Sequence, residues 1–167
     1  MNNNISKIIF FYYYKIQYFS LLVDLLYRKK HLHFNKEIDI TDIDMNLITQ
    51  EKFIAFYTGY IEKELYDTKS YFTSHPQLSN ELIEQLIDRK ISIIGIDSAG
   101  VKRGSEHRTT DQYCADRGAF IIENLCNLDK VLNQKKVREF TVNTYPLNFE
   151  DMTGLPCRVI AEILYAI

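Results

Sequence analysis

Ile121-Ile122-Glu123-Asn124-Leu125 is the stretch on which the reading of this chain turns. The apolar run Ile91 to Ile96 precedes it, and Pro156-Cys157-Arg158-Val159-Ile160-Ala161-Glu162 closes the pattern. An apolar strand seldom finishes on an unpaired Glu. Stripping water from a carboxylate costs on the order of several kcal/mol unless a cation or hydrogen-bond donors receive it. Glu123 therefore reads as placed to meet something positive.

The neighbouring segments give a mixed α/β pattern with many short strands. Leu82, Ile83, Leu86 and Ile87 make one apolar stripe behind Ser79, which predicts a helix from Asn80 to Arg89 with Ser79 as its N-cap. Ile91 to Ile96 is short, apolar and followed by Asp97, as in a buried strand entering a functional loop. Residues 98–108 read as loop. Thr109 or Thr110 is expected to cap a short helix through Asp116, stopped at Gly118. Strands are expected at Lys52 to Thr58, Ala119 to Glu123, Phe140 to Leu147 and Cys157 to Ile163, and a helix at Leu125 to Leu132.

Composition narrows the function classes. At 167 residues the chain can bury a real core, and 20 basic residues against 22 acidic ones give no electrostatic reason to expect nucleic acid. Cys114, Cys126 and Cys157 are scattered with no CxxC pair, so neither a disulfide framework nor a thiolate zinc site is supported, and a cytoplasmic location fits best. The apolar stretch from Ile8 to Leu26 is interrupted by Lys15, Gln17 and Asp24, which argues against membrane insertion. All six glycines and all three prolines lie at or beyond Gly59, whereas five of the 12 tyrosines fall within the first 34 residues. Residues 1–34 thus read as an atypical aromatic segment of non-native character, and residues 35–167 as the domain proper.

His107, Asp111 and Glu123 are the residues that could carry chemistry. If the segment after Ser105 is helical, His107 and Asp111 share a face at i and i+4, while Glu123 ends the next strand. One imidazole and two carboxylates suit Zn²⁺ or Mn²⁺. On spacing alone, the commoner arrangement is a surface His107 capped by Asp111, with Glu123 paired to Arg108 or Arg158. His75-Pro76 reads as a turn, and Lys102-Arg103 with Arg108 as a solvated basic loop.

Several separated motifs, in order, resemble a known family. Phe56-Tyr57-Thr58-Gly59, Tyr71-Phe72, His75-Pro76-x-Leu78-Ser79, Gly95-Ile96-Asp97, the Glu106-His107 loop, Ile122-Glu123-Asn124-Leu125 with Asn127-Leu128, and Pro156-x-Arg158-Val159-Ile160-Ala161 are similar to the "Putative cyclase" family, which includes bacterial kynurenine formamidases. The resemblance implies a swivelling β/β/α domain with a barrel-like core, a divalent metal, hydrolysis of a small amide or lactam-like bond as in an arylformamidase, and a homo-oligomer. The partner it implies is a small molecule whose binding residues stay open.

Departures from the family pattern matter equally. The family's H-x-x-x-H-x-D segment is represented here only by His33-Phe34, with His33 in the place of the catalytic His. The ligand positions then fall on Val23, Tyr27 and Lys29, none of which can stand in for His or Asp. A His expected twelve residues before the strand-end Glu is Asp111 here. The surviving ligand positions are Asp111 and Glu123, with His107 as a possible third. So poor a donor set predicts weak metal binding, and an N-terminally incomplete domain whose alternative fate is an inactive relic or a binding protein of the same fold.

Overall fold

In this computed structural model, residues 18–24, 37–48, 53–132 and 139–162 are described. Strands β1 (Tyr18–Asp24), β3 (Phe53–Tyr57), β5 (Ile93–Ile96) and β6 (Phe120–Ile122) run parallel, while β7 (Glu139–Pro146) and β8 (Cys157–Glu162) form an antiparallel hairpin. One six-stranded sheet results, in the order β6-β5-β3-β1-β7-β8, with β1 pairing antiparallel to β7. A second, two-stranded sheet joins β2 (Glu37–Ile38) in parallel to β4 (Gln77–Leu78). The expected barrel-like core is not closed among the described residues. β6 and β8 stand at opposite edges, so the large sheet is open.

The apolar runs are continuous because β3 and β5 are buried on both faces. Side chains alternate across a strand. Ile54, Phe56, Ile94 and Ile96 join one core with Leu78, Leu82 and Leu86, whereas Phe53, Ala55, Tyr57 and Ile93 join the other with Leu125, Leu128 and Val142.

Helix α2 (Asn80–Asp88) covers the first face, close to its expected span. The Ser79 hydroxyl accepts from the Leu82 amide at 3.1 Å and donates to Asp39 Oδ1 at 2.8 Å. It thereby caps the helix and ties it to the turn at residues 39–42. Leu82, Ile83 and Leu86 are buried, each contributing about 1.5–3 kcal/mol of transfer free energy. The helix ends where Lys90 takes a left-handed φ of 63° and the Ile91 amide turns back to the Leu86 carbonyl at 3.1 Å.

Two helices differ from expectation. α3 spans Ser105–Ala115, so Thr109 and Thr110 lie inside it rather than at its cap. It starts after Gly104, whose φ of 57° sets the turn, with no side-chain cap. The Thr109 hydroxyl instead donates to the Glu106 carbonyl at 3.0 Å, one turn back. The helix expected from Leu125 is only α4 (Leu128–Leu132), because the Asn124 and Leu125 amides are taken by the Ser98 and Ile96 carbonyls. A short helix α1 (Lys69–Thr73), capped by Thr68, completes the α-helices among the described residues.

Tyr18–Asp24, within the segment expected to be atypical, lies between β3 and β7 in the middle of the sheet. The rest of residues 1–34 falls outside the described residues. No helix among the described residues is long and apolar enough to cross a membrane.

Candidate metal centre

The four parallel strands end along one edge of the sheet, and the segments leaving β3, β5 and β6 meet there. Crevices outside the carboxyl ends of parallel strands are where such sheets place their ligands. From β5 the chain enters residues 97–104 and turns into α3, and from β6 it emerges at Glu123.

Asp97 organises the floor of this edge. It is fully buried; its Oδ1 accepts from the Thr58 amide at 2.9 Å and the Thr58 hydroxyl at 2.6 Å, and its Oδ2 accepts from the Gly59 amide at 2.6 Å. Burial pushes its carboxyl up to about 6, although those three donors pull it down. The residue clasps the turn after β3 to the loop after β5. Its three bonds leave it no direct part in the chemistry nearby.

Glu123, the first residue beyond β6, is half-buried. His107 Nε2 lies 2.8 Å from its Oε1 and 3.1 Å from Asp111 Oδ2. The i and i+4 spacing on α3 brings the His and Asp together, and β6 delivers the Glu. All three offer one donor atom within 4.8 Å of one another. Burial raises the Glu123 carboxyl to about 7, with His107 opposing and Asp111 reinforcing the rise. Burial likewise raises Asp111, with His107 again opposing.

The donor set fits a divalent cation on an observation of its own. Asp111 Oδ1 and Glu123 Oε1 are shielded from solvent and neither makes a hydrogen bond of good geometry, Glu123 Oε1 having only His107 Nε2 beside it at 2.8 Å. Leaving such groups unsatisfied costs about 1–3 kcal/mol each, more when charged. One imidazole nitrogen and two carboxylate oxygens are ligands that Zn²⁺ and Mn²⁺ accept.

Gly100 makes room for this arrangement. A Cβ there would stand 2.8 Å from Glu123 Oε1 and 3.0 Å from His107 Cε1, and its φ of 140° is one that side-chain-bearing residues rarely adopt. Gly95 does the same for the segment after Glu123. A Cβ on it would meet Leu125 Cδ1 at 2.5 Å, so Leu125 packs directly over β5.

Other candidates lie elsewhere. Glu123 does not pair with Arg158, which sits in β8 at the opposite edge, and Arg108 is exposed on α3. Lys102 is not a solvated loop residue: it is 3% exposed and bonds Glu37 Oε1 at 2.9 Å, which ties β2 to this loop. His75 is buried, its Nδ1 2.8 Å from the Pro76 carbonyl oxygen, and burial lowers its pKa. Val23 lies on β1 opposite Phe56, whereas Tyr27, Lys29 and His33 fall outside the described residues. Cys114, Cys126 and Cys157 are free thiols. Gly100 was not singled out from sequence, and its only signal was a glycine in the loop that follows an apolar strand.

Comparison with known proteins agrees with this architecture. Residues 22–103, just under half of the chain, match the family model described as Putative cyclase; the match stops short of His107, Asp111 and Glu123. No curated protein matches. Among solved structures, a potential metal-dependent hydrolase with cyclase activity aligns at a TM-score of 0.64 and 22% identity, over 87% of this chain and 64% of its own. A novel cyclase gives 0.70 and 18%, over 87% of this chain and 53% of its own. Isatin hydrolase A from Labrenzia aggregata, bound to benzyl benzoate, gives 0.69 and 18%, over 87% and 60%. The chain thus spans less than two thirds of each. It shares the fold of these cyclase and hydrolase structures, and its residues 22–103 carry the sequence pattern of the Putative cyclase family.

Proposed function

We propose that this chain is a metal-dependent hydrolase domain of the cyclase family, acting on a small amide or lactam-like bond in the manner of an arylformamidase. The observation that carries the reading is the convergence of His107, Asp111 and Glu123, with two solvent-shielded carboxylate oxygens that make no hydrogen bond of good geometry. Zn²⁺ or Mn²⁺ is the cation expected there. When bound, it would polarise the scissile carbonyl and lower the pKa of water. The chain's own residues hold the cation: His107 and Asp111 from one helical face, Glu123 from the strand end, with Gly100 keeping the space open. His33 is the proposed acid/base, on its resemblance alone.

Isatin is a cyclic amide, so the likeness to isatin hydrolase A supports the lactam-like substrate class. Free cysteines support a reducing, cytoplasmic setting, and a homo-oligomer is expected.

One observation favours a second reading. Val23, at an expected ligand position, is a residue that cannot bind metal. On that reading the chain is a non-catalytic relic of the same fold. The experiment is to measure bound Zn and Mn by elemental analysis after dialysis, then the hydrolysis of N-formylkynurenine and isatin. Turnover lost on Glu123→Gln establishes the hydrolase. Bound metal with hydrolysis at the buffer rate establishes the relic. Absence of both, with Glu123→Ala unchanged in metal content, rejects the metal centre.

A further inference from the structure

Tyr71 and Asn124 form a hydrogen bond that the chemistry above does not use. The Tyr71 hydroxyl donates to Asn124 Oδ1 at 2.6 Å across 53 positions of sequence. Tyr71 is fully buried, its ring 5.5 Å from that of Tyr60 and 5.2 Å from that of Tyr66. So tight an aromatic setting leaves the hydroxyl little freedom to turn elsewhere.

Asn124 is the residue immediately after Glu123, and three constraints meet on it. Its backbone adopts a left-handed φ of 56°, which Asn tolerates better than most residues. Its amide donates to the Ser98 carbonyl at 2.9 Å. Its side-chain oxygen receives Tyr71. The next amide, Leu125, donates to the Ile96 carbonyl at 3.0 Å, so the chain is pinned to β5 directly beyond the bend. This bend lies directly beyond Glu123, whose Oε1 stands 2.8 Å from His107 Nε2.

From this we infer that Tyr71 is a positioning residue for the metal centre: acting through Asn124, it fixes the bend that aims the Glu123 carboxylate at His107 and Asp111. The inference rests on the proposed function only in taking those three as cation ligands. Partners that orient a ligand without touching the cation commonly govern affinity by about 10–100-fold.

The test uses the full chain, Tyr71→Phe, Asn124→Gly and the double variant. Gly keeps the left-handed bend while losing the acceptor. Co²⁺ affinity is read by calorimetry, and the His107 ring nitrogens by NMR on the metal-free protein. The expected result is about tenfold weaker Co²⁺ binding in each single variant, no further loss in the double, and a shift of the His107 ring signals in both singles. Co²⁺ affinity within twofold of the parent, or losses that multiply in the double variant, would overturn the inference. If the parent binds no Co²⁺, the functional reading falls, and the His107 signals alone decide: moved in both singles supports positioning, unmoved refutes it. Should Tyr71→Phe fail to fold, Asn124→Gly carries the same two readouts.

Discussion

The two halves of the large sheet are built on different terms. In the parallel half, β3 and β5 are buried at every position, and the segments leaving β3, β5 and β6 lock together through Asp97, Ser98 and Gly100. In the β7–β8 hairpin, β8 alternates between half-buried and exposed, and Tyr145, Leu147, Phe149 and Met152 are more than half exposed. A strand covered on both faces leaves nowhere for a polar side chain, so the polar groups of the parallel half are displaced to its carboxyl edge. There they converge, which is how a carboxylate pair and an imidazole come to meet, half-buried, beside an apolar core. The antiparallel hairpin always has a solvent face for its polar groups and concentrates nothing.

The largest effect expected from this contrast is on stability. Ile96→Ala, in the fully buried β5, should cost about 2–5 kcal/mol in urea unfolding, while Ile160→Ala, 40% exposed on β8, should cost far less. Equal losses at the two sites would erase the distinction.

Next comes pH. Asp97 titrates at about 6 when folded and at its ordinary 3.8 when unfolded, so between those values the folded state holds a proton the unfolded state has released. The Asp97 contribution to stability should therefore fall by about 3 kcal/mol as pH rises from 4 through 6, and Glu123, raised to about 7, should carry the decline on to near pH 7. Asp97→Asn should flatten that slope, though at a lower overall stability, because its amide nitrogen would face the Gly59 amide. Unfolding midpoints measured across that pH range provide the check.

A smaller effect separates site from scaffold. Gly100→Ala places a methyl against Glu123 and His107, and should weaken Co²⁺ or Zn²⁺ binding about tenfold with little change in β7–β8 exchange protection. Unchanged affinity would show that Gly100 has no part in the centre. The smallest effect belongs to the hairpin tip: Leu147→Ser and Phe149→Ser, both more than half exposed, should each shift the unfolding free energy by under about 0.5 kcal/mol. A larger loss would mean that the tip is covered in the working protein.

Much of the architecture was written in local pattern. The spans of α2, β3, β5, β7 and β8 follow from apolar periodicity and from Ser79 as a cap, since these depend on neighbours within a few residues. Local pattern failed where the chain is held from far away. Two threonines that look like caps lie inside α3, because Gly104 and the loop geometry start the helix earlier. An apparent helix from Leu125 begins only at Leu128, because the amides of Asn124 and Leu125 are taken by Ser98 and Ile96.

By itself, the sequence determined a mixed α/β chain, its buried strands and a Glu placed where an apolar strand ends, because desolvation and side-chain period act along the chain. It also offered His107 and Asp111 as a pair, since helical spacing alone would put them on one face. Only the tertiary structure decided that Glu123 faces that pair rather than Arg108 or Arg158, that Lys102 is buried against Glu37, and that the sheet is open among the described residues. Those outcomes depend on which strand lies beside which, and strand order is set by packing over separations that no local pattern encodes.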